Sequence, residues 1–249
     1  MKLAKRKGWI YDLPLFPKLK IENRYRSWFS LEEYKKLLYS ATKFIRESQD
    51  KRIRIMREDL RDYILMMSHT GCRVEEMLAV KVRDCTIKRG DGTQRNDYML
   101  LRVDGKTGRR EALGMWGAVR AYTRIVERHK KNPEDKLFNR NPRWQLAELL
   151  KQTPGINTPN LRYDQDGRRR DAVSFRHYFI MARLLHGKLD VFTLARICGT
   201  SVHIISKHYA QHLTARMKVK DILHFEKVDI EDEMGVQEIP VDETGMGDT

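Results

Sequence analysis

The sequence predicts a mainly α-helical domain that carries a small three-stranded antiparallel sheet. Two observations lead to this fold class. Apolar residues recur at helical spacing before residue 81 and again after residue 115. Between these regions, three short strand-like runs are separated by the turn sequences GDGT and DGKTG. A hydrophobic content of 41% supplies the apolar side chains that a packed core needs.

The helices before the sheet have clear end signals. The first begins at Ser30, because Ser30 and Glu33 have the spacing of a capping box and the apolar residues that follow recur every three or four positions. A second helix is expected over residues 58–68, with a break at Thr70-Gly71. A third helix is expected over residues 74–80.

The sheet and the later helices follow in order. The three predicted strands are residues 84–88, 97–103 and 109–115. Helical periodicity then returns in residues 116–129 and 143–150. A loop is expected over residues 153–170, and three or four further helices follow, with Gly187 and Gly199 as stops.

Composition divides the chain into three parts. Residues 1–28 are basic, contain Pro14 and Pro17 and lack a sustained period, which predicts an extended arm or linker. Residues 29–227 contain most of the predicted helices and all of the predicted strands. Residues 228–249 carry eight acidic residues and no lysine or arginine, which predicts a mobile acidic tail.

The chain is strongly basic, with a net charge of +15. Because that figure includes the eight acidic residues of the tail, residues 1–227 carry a net charge of +23. Such a charge indicates a polyanionic partner, of which nucleic acid is the usual one. The alternative is a solvated basic surface. A membrane surface is disfavoured, since no basic amphipathic helix stands out.

The sequence also favours a reducing compartment. No apolar run approaches the roughly 20 residues of a membrane span, and the basic N-terminus lacks the apolar region of a secretory signal. The three cysteines are far apart and odd in number, which argues against a disulfide framework. We therefore expect a cytoplasmic protein without a membrane span.

Three residues suggest chemistry on a phosphodiester. Arg73 follows the Thr70-Gly71 break, while Arg176 and Tyr209 lie in two apolar-periodic segments on either side of the turn 199–201. A guanidinium is planar and permanently charged, so it donates two hydrogen bonds to phosphate oxygens. A tyrosine beside two such groups can be a nucleophile that forms a covalent phosphoryl intermediate. Spacing alone does not establish this arrangement.

From about Phe29 to Leu213 the sequence resembles the catalytic domain of the tyrosine recombinases, the phage-integrase family. The matching motifs are TG-x-R-x-x-E from residue 70, S-F-R-H from residue 174, and G-T-S followed by K-H-Y from residue 199. The resemblance implies a mainly helical domain with a small sheet at one edge. Full-length integrases add an N-terminal helical domain that completes a clamp around the duplex. The 28 residues before the capping box are too few for it, which suggests an isolated catalytic domain or a minimal protein.

The resemblance implies roles for five residues. Arg73 and Arg176 match the two catalytic arginines, and Tyr209 matches the nucleophile. Lys106, in the turn between the last two predicted strands, matches the hairpin lysine that protonates the departing 5′ oxygen. Glu76 lies one helical turn after Arg73, where it can orient the guanidinium.

Two positions depart from the family pattern. The histidine that commonly precedes the second arginine by three residues is Val173 here, and a valine cannot act as an acid or a base. The family's histidine or tryptophan after the glycine is Thr200, whose hydroxyl can still donate a hydrogen bond to a non-bridging oxygen. The general base is therefore unassigned. His177 follows Arg176 directly and is expected to face about 100° away from it on a helix.

Other basic residues are candidates for contacts with the DNA backbone, which position a protein without reading sequence. They are Lys207, Arg109, Arg110, Arg168, Arg169 and Arg170. His208 and His212 have a spacing that can bind zinc, but no third ligand is evident. We therefore expect no metal and no cofactor.

The function that the resemblance implies is site-specific recombination, of the kind found in phages and mobile elements. Double-stranded DNA would be cleaved and rejoined through a 3′-phosphotyrosyl intermediate by a homotetramer on two duplexes. One alternative is a type IB topoisomerase, which shares the fold and the chemistry but lets the ends swivel. The other is a non-catalytic DNA-binding protein that kept the fold, which Val173 and Thr200 favour.

Overall fold

The computed structural model describes residues 2–9, 11, 27–90, 92, 96–105, 108–186 and 189–209. The elements before the sheet are α1 (Lys2–Arg6), α2 (Leu31–Arg46), α3 (Lys51–Thr70), α4 (Val74–Ala79) and a short 3₁₀ turn (Val82–Asp84). The strands are β1 (Cys85–Lys88), β2 (Tyr98–Gly105) and β3 (Gly108–Gly114). The later helices are α5 (Trp116–His129), α6 (Arg143–Gln152), α7 (Ala172–His186), α8 (Val191–Cys198) and α9 (Val202–Tyr209). This order confirms the predicted mainly helical fold with three strands.

The capping box of α2 is confirmed. The Ser30 side chain accepts a hydrogen bond from the Glu33 amide at 3.1 Å, and the Glu33 carboxylate accepts one from the Ser30 amide at 2.9 Å. Both donors belong to the first turn, where no intrahelical acceptor exists. The box therefore fixes the start of α2 at the predicted position.

The predicted start of the second helix is wrong. Helix α3 begins at Lys51, seven residues before the expected start, where the Asp50 side chain caps it. Periodicity does not show this start, because the first turns of α3 are mostly exposed and lack an apolar stripe. Within the segment expected to be an arm, residues 2–6 form the short helix α1. At the other end of that segment, Ser27 is 5% exposed and accepts a hydrogen bond from Arg170.

The sheet is an antiparallel meander in the order β1-β2-β3. Alternate residues of β2 are buried, and Val103 pairs with Arg110 across the β2–β3 ladder. Directly paired residues of an antiparallel ladder share one face, so Arg110 is on the side that faces the core. The ladder extends to the pair Gly105–Gly108, so β2 ends two residues later and β3 begins one residue earlier than expected.

Helix α7 lies between two hydrophobic clusters. Phe175 is fully buried in the main cluster, which unites α2, α3, α5, α6 and the sheet. Phe179 and Ile180 belong to a second cluster with α8 and α9. Truncation of a buried phenylalanine of this kind costs about 3–5 kcal/mol. Because both sides of α7 are packed, side chains on several of its faces point into the protein.

Candidate functional site

Arg73 is held in place by Glu76. Arg73 is the N-cap of α4 and follows Gly71, which has a left-handed backbone with φ of 64°. The Glu76 carboxylate accepts hydrogen bonds from the Arg73 amide at 2.8 Å and from Arg73 Nη1 at 2.6 Å. Arg73 Nη2 donates to the carbonyl of Gly199. The Glu76 side chain, which is 2% exposed, thus holds the Arg73 guanidinium in place.

Arg176 reaches the same region from α7. Its Nη1 donates to the Gly71 carbonyl and its Nη2 to the Cys198 carbonyl, both at 2.7 Å. The residue is 8% exposed, and burial, aided by the charge of Arg73, lowers the pKa of Arg176 from its ordinary value. A guanidinium stays protonated at neutral pH even so.

The C-terminal end of α8 is the point on which three arginines converge. Besides Arg73 and Arg176, Arg110 donates to the Cys198 carbonyl at 3.2 Å and to Glu76 Oε2 at 2.7 Å. Gly199 ends α8 with φ of 60°, and a Cβ on it would collide with the Arg110 guanidinium. Helix-end carbonyls carry partial negative charge, which stabilises the cluster of cations.

Tyr209 is the last described residue of α9 and is 3% exposed. Its hydroxyl is hydrogen-bonded to Nδ1 of His177, which is 7% exposed. The two rings are 5.5 Å apart between centroids and are inclined by 44°. His177 is therefore part of the site, although its position on the helix was expected to turn it away.

A cavity of about 550 Å³ joins these groups. Its walls include Arg73, Arg176, His177, Thr200 and Tyr209, together with Val173 at the position of the family's usual histidine. Thr200 is half-buried and continues the turn after Gly199. The fold thus brings the predicted arginines and tyrosine to one concave surface, which is the usual form of a binding site.

Lys106 lies outside the described residues, but its neighbours in the β2–β3 hairpin are described. A Cβ on Gly105 would collide with Glu76 Oε1, so the end of β2 packs directly against the carboxylate that holds Arg73. The hairpin is thereby anchored next to the cavity. The role of Lys106 stays a prediction.

Two of the six expected DNA-backbone contacts are wrong. Arg170 is 4% exposed, donates to Ser27 Oγ at 3.0 Å and to Glu33 Oε2 at 2.9 Å, and covers the ring of Phe29. It therefore ties the loop before α7 to α2. Arg110 faces inward from β3, with a side chain 13% exposed, and its guanidinium is held by Glu76 and the Cys198 carbonyl, so it is not a surface residue.

The other four candidates lie nearer to solvent. Lys207 and Arg109 are exposed, and Arg109 is 3.3 Å from Asp104. Arg168 is half-buried, 2.7 Å from Asp166, and Arg169 is exposed, 3.9 Å from Asp171. Surface ion pairs of this kind are weak, so these arginines can exchange their partners for phosphate oxygens at little cost.

The sequence pattern indicates that Arg110 faces inward, but it does not indicate that His177 reaches the site. In β3, Arg110, Ala112 and Gly114 alternate with more exposed residues, and this period of two places Arg110 on the core side. His177 could not be placed from helical angles, because α7 is packed by the two clusters on different faces.

Within the described part of the chain, no group of three or more His, Cys, Asp or Glu side chains could hold a metal ion. His212, the second member of the expected histidine pair, lies outside those residues. Among the described helices, none is long and apolar enough to cross a membrane.

Comparison with solved structures finds the same fold in DNA recombinases. The site-specific recombinase XerH, in a post-cleavage complex with its palindromic difH substrate, matches with a TM-score of 0.56 and 19% identity over 83% of this chain. The XerA recombinase matches with a TM-score of 0.54 and 18% identity over 90% of this chain. The Tn1549 transposon integrase bound to transposon right-end DNA matches with a TM-score of 0.55 and 18% identity over 83% of this chain.

The matches cover different shares of those proteins: 55% of the XerH chain, 75% of the XerA chain and 69% of the Tn1549 integrase. No protein-family model matches the sequence, and no curated protein matches it. At identities below 20% the likeness concerns the fold. The chain therefore has the fold of the tyrosine-recombinase catalytic domain, as its motifs predict.

Proposed function

We propose that this protein is a site-specific DNA recombinase that cleaves and rejoins strands through a covalent bond between Tyr209 and a 3′ phosphate. The observation that carries the proposal is the shared cavity, which is lined by the guanidiniums of Arg73 and Arg176 and by Tyr209. A buried and a half-buried guanidinium, both oriented by hydrogen bonds and beside a phenol, suit a phosphodiester, whose negative charge they neutralise.

In the proposed reaction Tyr209 Oη attacks the scissile phosphorus, and the bond to the 5′ oxygen breaks. Arg73 and Arg176 stabilise the charge on the non-bridging oxygens. Glu76 and the helix-end carbonyls hold the two guanidiniums in place for this role. Thr200 adds a hydrogen-bond donor, and Lys106 protonates the leaving 5′ oxygen. The phosphotyrosyl bond keeps the bond energy, so rejoining needs no nucleotide.

The partner is double-stranded DNA, and recombination between two sites requires four protomers on two duplexes. We place the phosphate-backbone contacts on the basic residues that remain near the surface: Lys207, Arg109, Arg168 and Arg169. The unit that performs the chemistry is residues 29–227, with the basic segment before it and the acidic segment after it as appendages. The arginines take the part that metal ions have in other phosphoryl-transfer sites.

A second candidate is a DNA-binding protein without catalysis, and Val173 is the observation that favours it. A valine on the wall of the cavity removes the family's usual proton-transfer group. Strand swivelling of the type IB topoisomerase kind would share the phosphotyrosyl step, and product analysis separates it from strand exchange.

Trapping on a suicide duplex tests the proposal. Wild-type protein should form an adduct that survives denaturing electrophoresis with EDTA present, whereas Tyr209→Phe should fold and bind DNA but form none. Lys106→Ala should form the adduct roughly 10²–10⁴-fold more slowly. A 5′-bridging phosphorothiolate, whose leaving group needs no proton, should restore Lys106→Ala and not Tyr209→Phe. An adduct in Tyr209→Phe would exclude the assigned nucleophile.

A further inference from the structure

We propose that His177 is the general base of the cleavage step and accepts the phenolic proton of Tyr209. The inference rests on the proposed function and fills the role that Val173 cannot perform. Its basis is the hydrogen bond between His177 Nδ1 and the Tyr209 hydroxyl inside the cavity that Arg73 and Arg176 also line. Because His177 touches a reacting atom, it would be a catalytic residue.

The packing of the two residues makes this contact a fixed one. His177 is 7% exposed and Tyr209 3% exposed, and their rings pack at a centroid distance of 5.5 Å. His177 is on α7, between the two hydrophobic clusters, and Tyr209 packs in the second cluster with Phe179 and Ile205. Neither ring can rotate away without disturbing that packing, so the acceptor nitrogen stays within reach of the phenol.

The proton balance of the step is complete. In the tautomer protonated on Nε2, His177 Nδ1 is an acceptor for the phenol. As Tyr209 Oη forms its bond to phosphorus, its proton passes to Nδ1, and the 5′ oxygen leaves with a proton from Lys106. In rejoining, Lys106 takes back the proton of the 5′ hydroxyl as that oxygen attacks the phosphotyrosine, and the imidazolium returns its proton to Tyr209 Oη.

The charges around the pair fit such a transfer. Arg176 is close enough to Tyr209 for their charges to interact, so its guanidinium stabilises the developing phenolate. Arg73 lies across the same cavity, and the phosphate of the substrate offsets the positive charge that the imidazole gains. A free phenol has a pKa near 10 and an imidazole one near 6.5. The transfer therefore has to accompany bond formation to phosphorus, as general base catalysis requires.

Adduct formation on the suicide duplex, measured in a single turnover, separates a base from a positioning residue. His177→Asn keeps a hydrogen-bond acceptor near the place of Nδ1 but cannot take a proton, so its rate should fall roughly 10²–10⁴-fold. In His177→Ala, added imidazole should accelerate the reaction, whereas His177→Asn, which fills the space, should not respond. His203→Asn, an exposed histidine on the same helix as Tyr209, is the matched control and should keep the wild-type rate.

A double-mutant cycle of His177→Asn and Tyr209→Phe, measured as unfolding free energy without DNA, tests the contact independently of activity. A coupling energy indistinguishable from zero would overturn the inference. Wild-type rates in His177→Asn, or no effect of imidazole on His177→Ala, would also overturn it while leaving the proposed function intact. A wild-type protein that forms no adduct would overturn the proposed function itself, and the base role with it.

Discussion

Among the residues that the structure describes, Glu76 is the carboxylate that holds both Arg73 and Arg110. It accepts hydrogen bonds from Arg73 at 2.6 Å and from Arg110 at 2.7 Å, with a side chain only 2% exposed. A buried ion pair adds little net stability, but loss of one partner leaves buried charges uncompensated. Loss of the Glu76 charge would therefore disturb the orientation of the guanidiniums and also destabilise the fold.

Replacement of Glu76 by glutamine keeps the shape and removes the charge. We expect Glu76→Gln to lower the unfolding free energy by about 3–5 kcal/mol, because two guanidiniums lose their counter-ion. Adduct formation should slow as well, since Arg73 is no longer held. Denaturant titration and single-turnover trapping measure the two effects. Glu111→Gln, an exposed carboxylate on β3, is the control, and equal effects in both variants would contradict the assignment.

His69 gives the protein a defined response to acid. It lies at the end of α3 against Gly117, and burial, with a smaller contribution from the charge of Arg183, lowers the pKa of His69 to about 4. A folded-state pKa below the unfolded value of about 6.5 means that the unfolded chain takes up the proton first. The stability that the neutral His69 side chain contributes is therefore complete above pH 6.5 and is lost as the pH falls from 6.5 toward 4.

We expect acidification from pH 6.5 to pH 4 to lower the unfolding free energy by up to about 3 kcal/mol through His69 alone, since each pKa unit corresponds to about 1.4 kcal/mol. Urea titrations of the wild type and of His69→Asn at several pH values measure the difference. The variant should be less stable at pH 7 but should lose less stability on acidification. Parallel pH profiles for the two proteins would show that His69 does not titrate on unfolding.

At the scale of elements, a buried charge network joins α3 to α5. Asp62 of α3 is fully buried and accepts hydrogen bonds from Arg124 Nε at 2.9 Å and from Arg128 Nη2 at 2.6 Å. Arg128 also reaches Asp59. The network fixes the relative position of two helices that carry the main hydrophobic cluster, and α3 ends at Gly71, next to the site.

Asp62→Asn should therefore destabilise the fold by about 3–5 kcal/mol, because the two arginines lose a buried partner. Guanidinium or urea unfolding measures this loss. The matched control is Glu134→Gln, which breaks an exposed pair with Lys81 and Arg83 and should cause no measurable change. If both variants unfold at the same denaturant concentration as the wild type, the network contributes nothing to stability.

The elements could be predicted wherever a local signal marks them. The capping box of α2 and the two turn sequences around β2 fixed their elements closely, because caps and turns depend on neighbouring residues. The start of α3 could not be found from periodicity, since its first turns are mostly exposed and Asp50 is the residue that marks its N-terminal end. The motifs located Arg73, Arg176 and Tyr209, whereas the His177 contact depends on how α7 packs against α9, which spacing does not contain.

For the whole molecule, the proposed binding of DNA depends on the distribution of charge. Residues 1–227 carry a net charge of +23, and phosphate neutralisation releases counter-ions. The logarithm of the affinity should fall linearly with the logarithm of the salt concentration, with a slope of about −0.9 for each phosphate contacted. Fluorescence anisotropy with a labelled duplex measures this slope, and a flat response would contradict binding through the backbone.

Two neighbouring arginines provide a matched pair for that measurement. Arg169 is exposed, so Arg169→Ala should reduce the salt slope by about one contact. Arg170 is buried against Glu33, so Arg170→Ala should reduce stability and leave the slope unchanged. The opposite result would mean that the loop before α7 rearranges on DNA.

The hydrogen bond from Arg73 to the Gly199 carbonyl cannot form in a chain whose synthesis is incomplete. The two residues are 126 positions apart, and the carbonyl that orients the guanidinium lies after most of the chain. Closure of so long a loop is a late event in folding. A nascent or truncated chain that ends before α8 therefore lacks the Cys198 and Gly199 carbonyls that hold Arg176 and Arg73, and it lacks Tyr209. Under the proposed function, such a chain would bind DNA through its basic residues but would not cleave it, because the nucleophile is synthesised after the arginines.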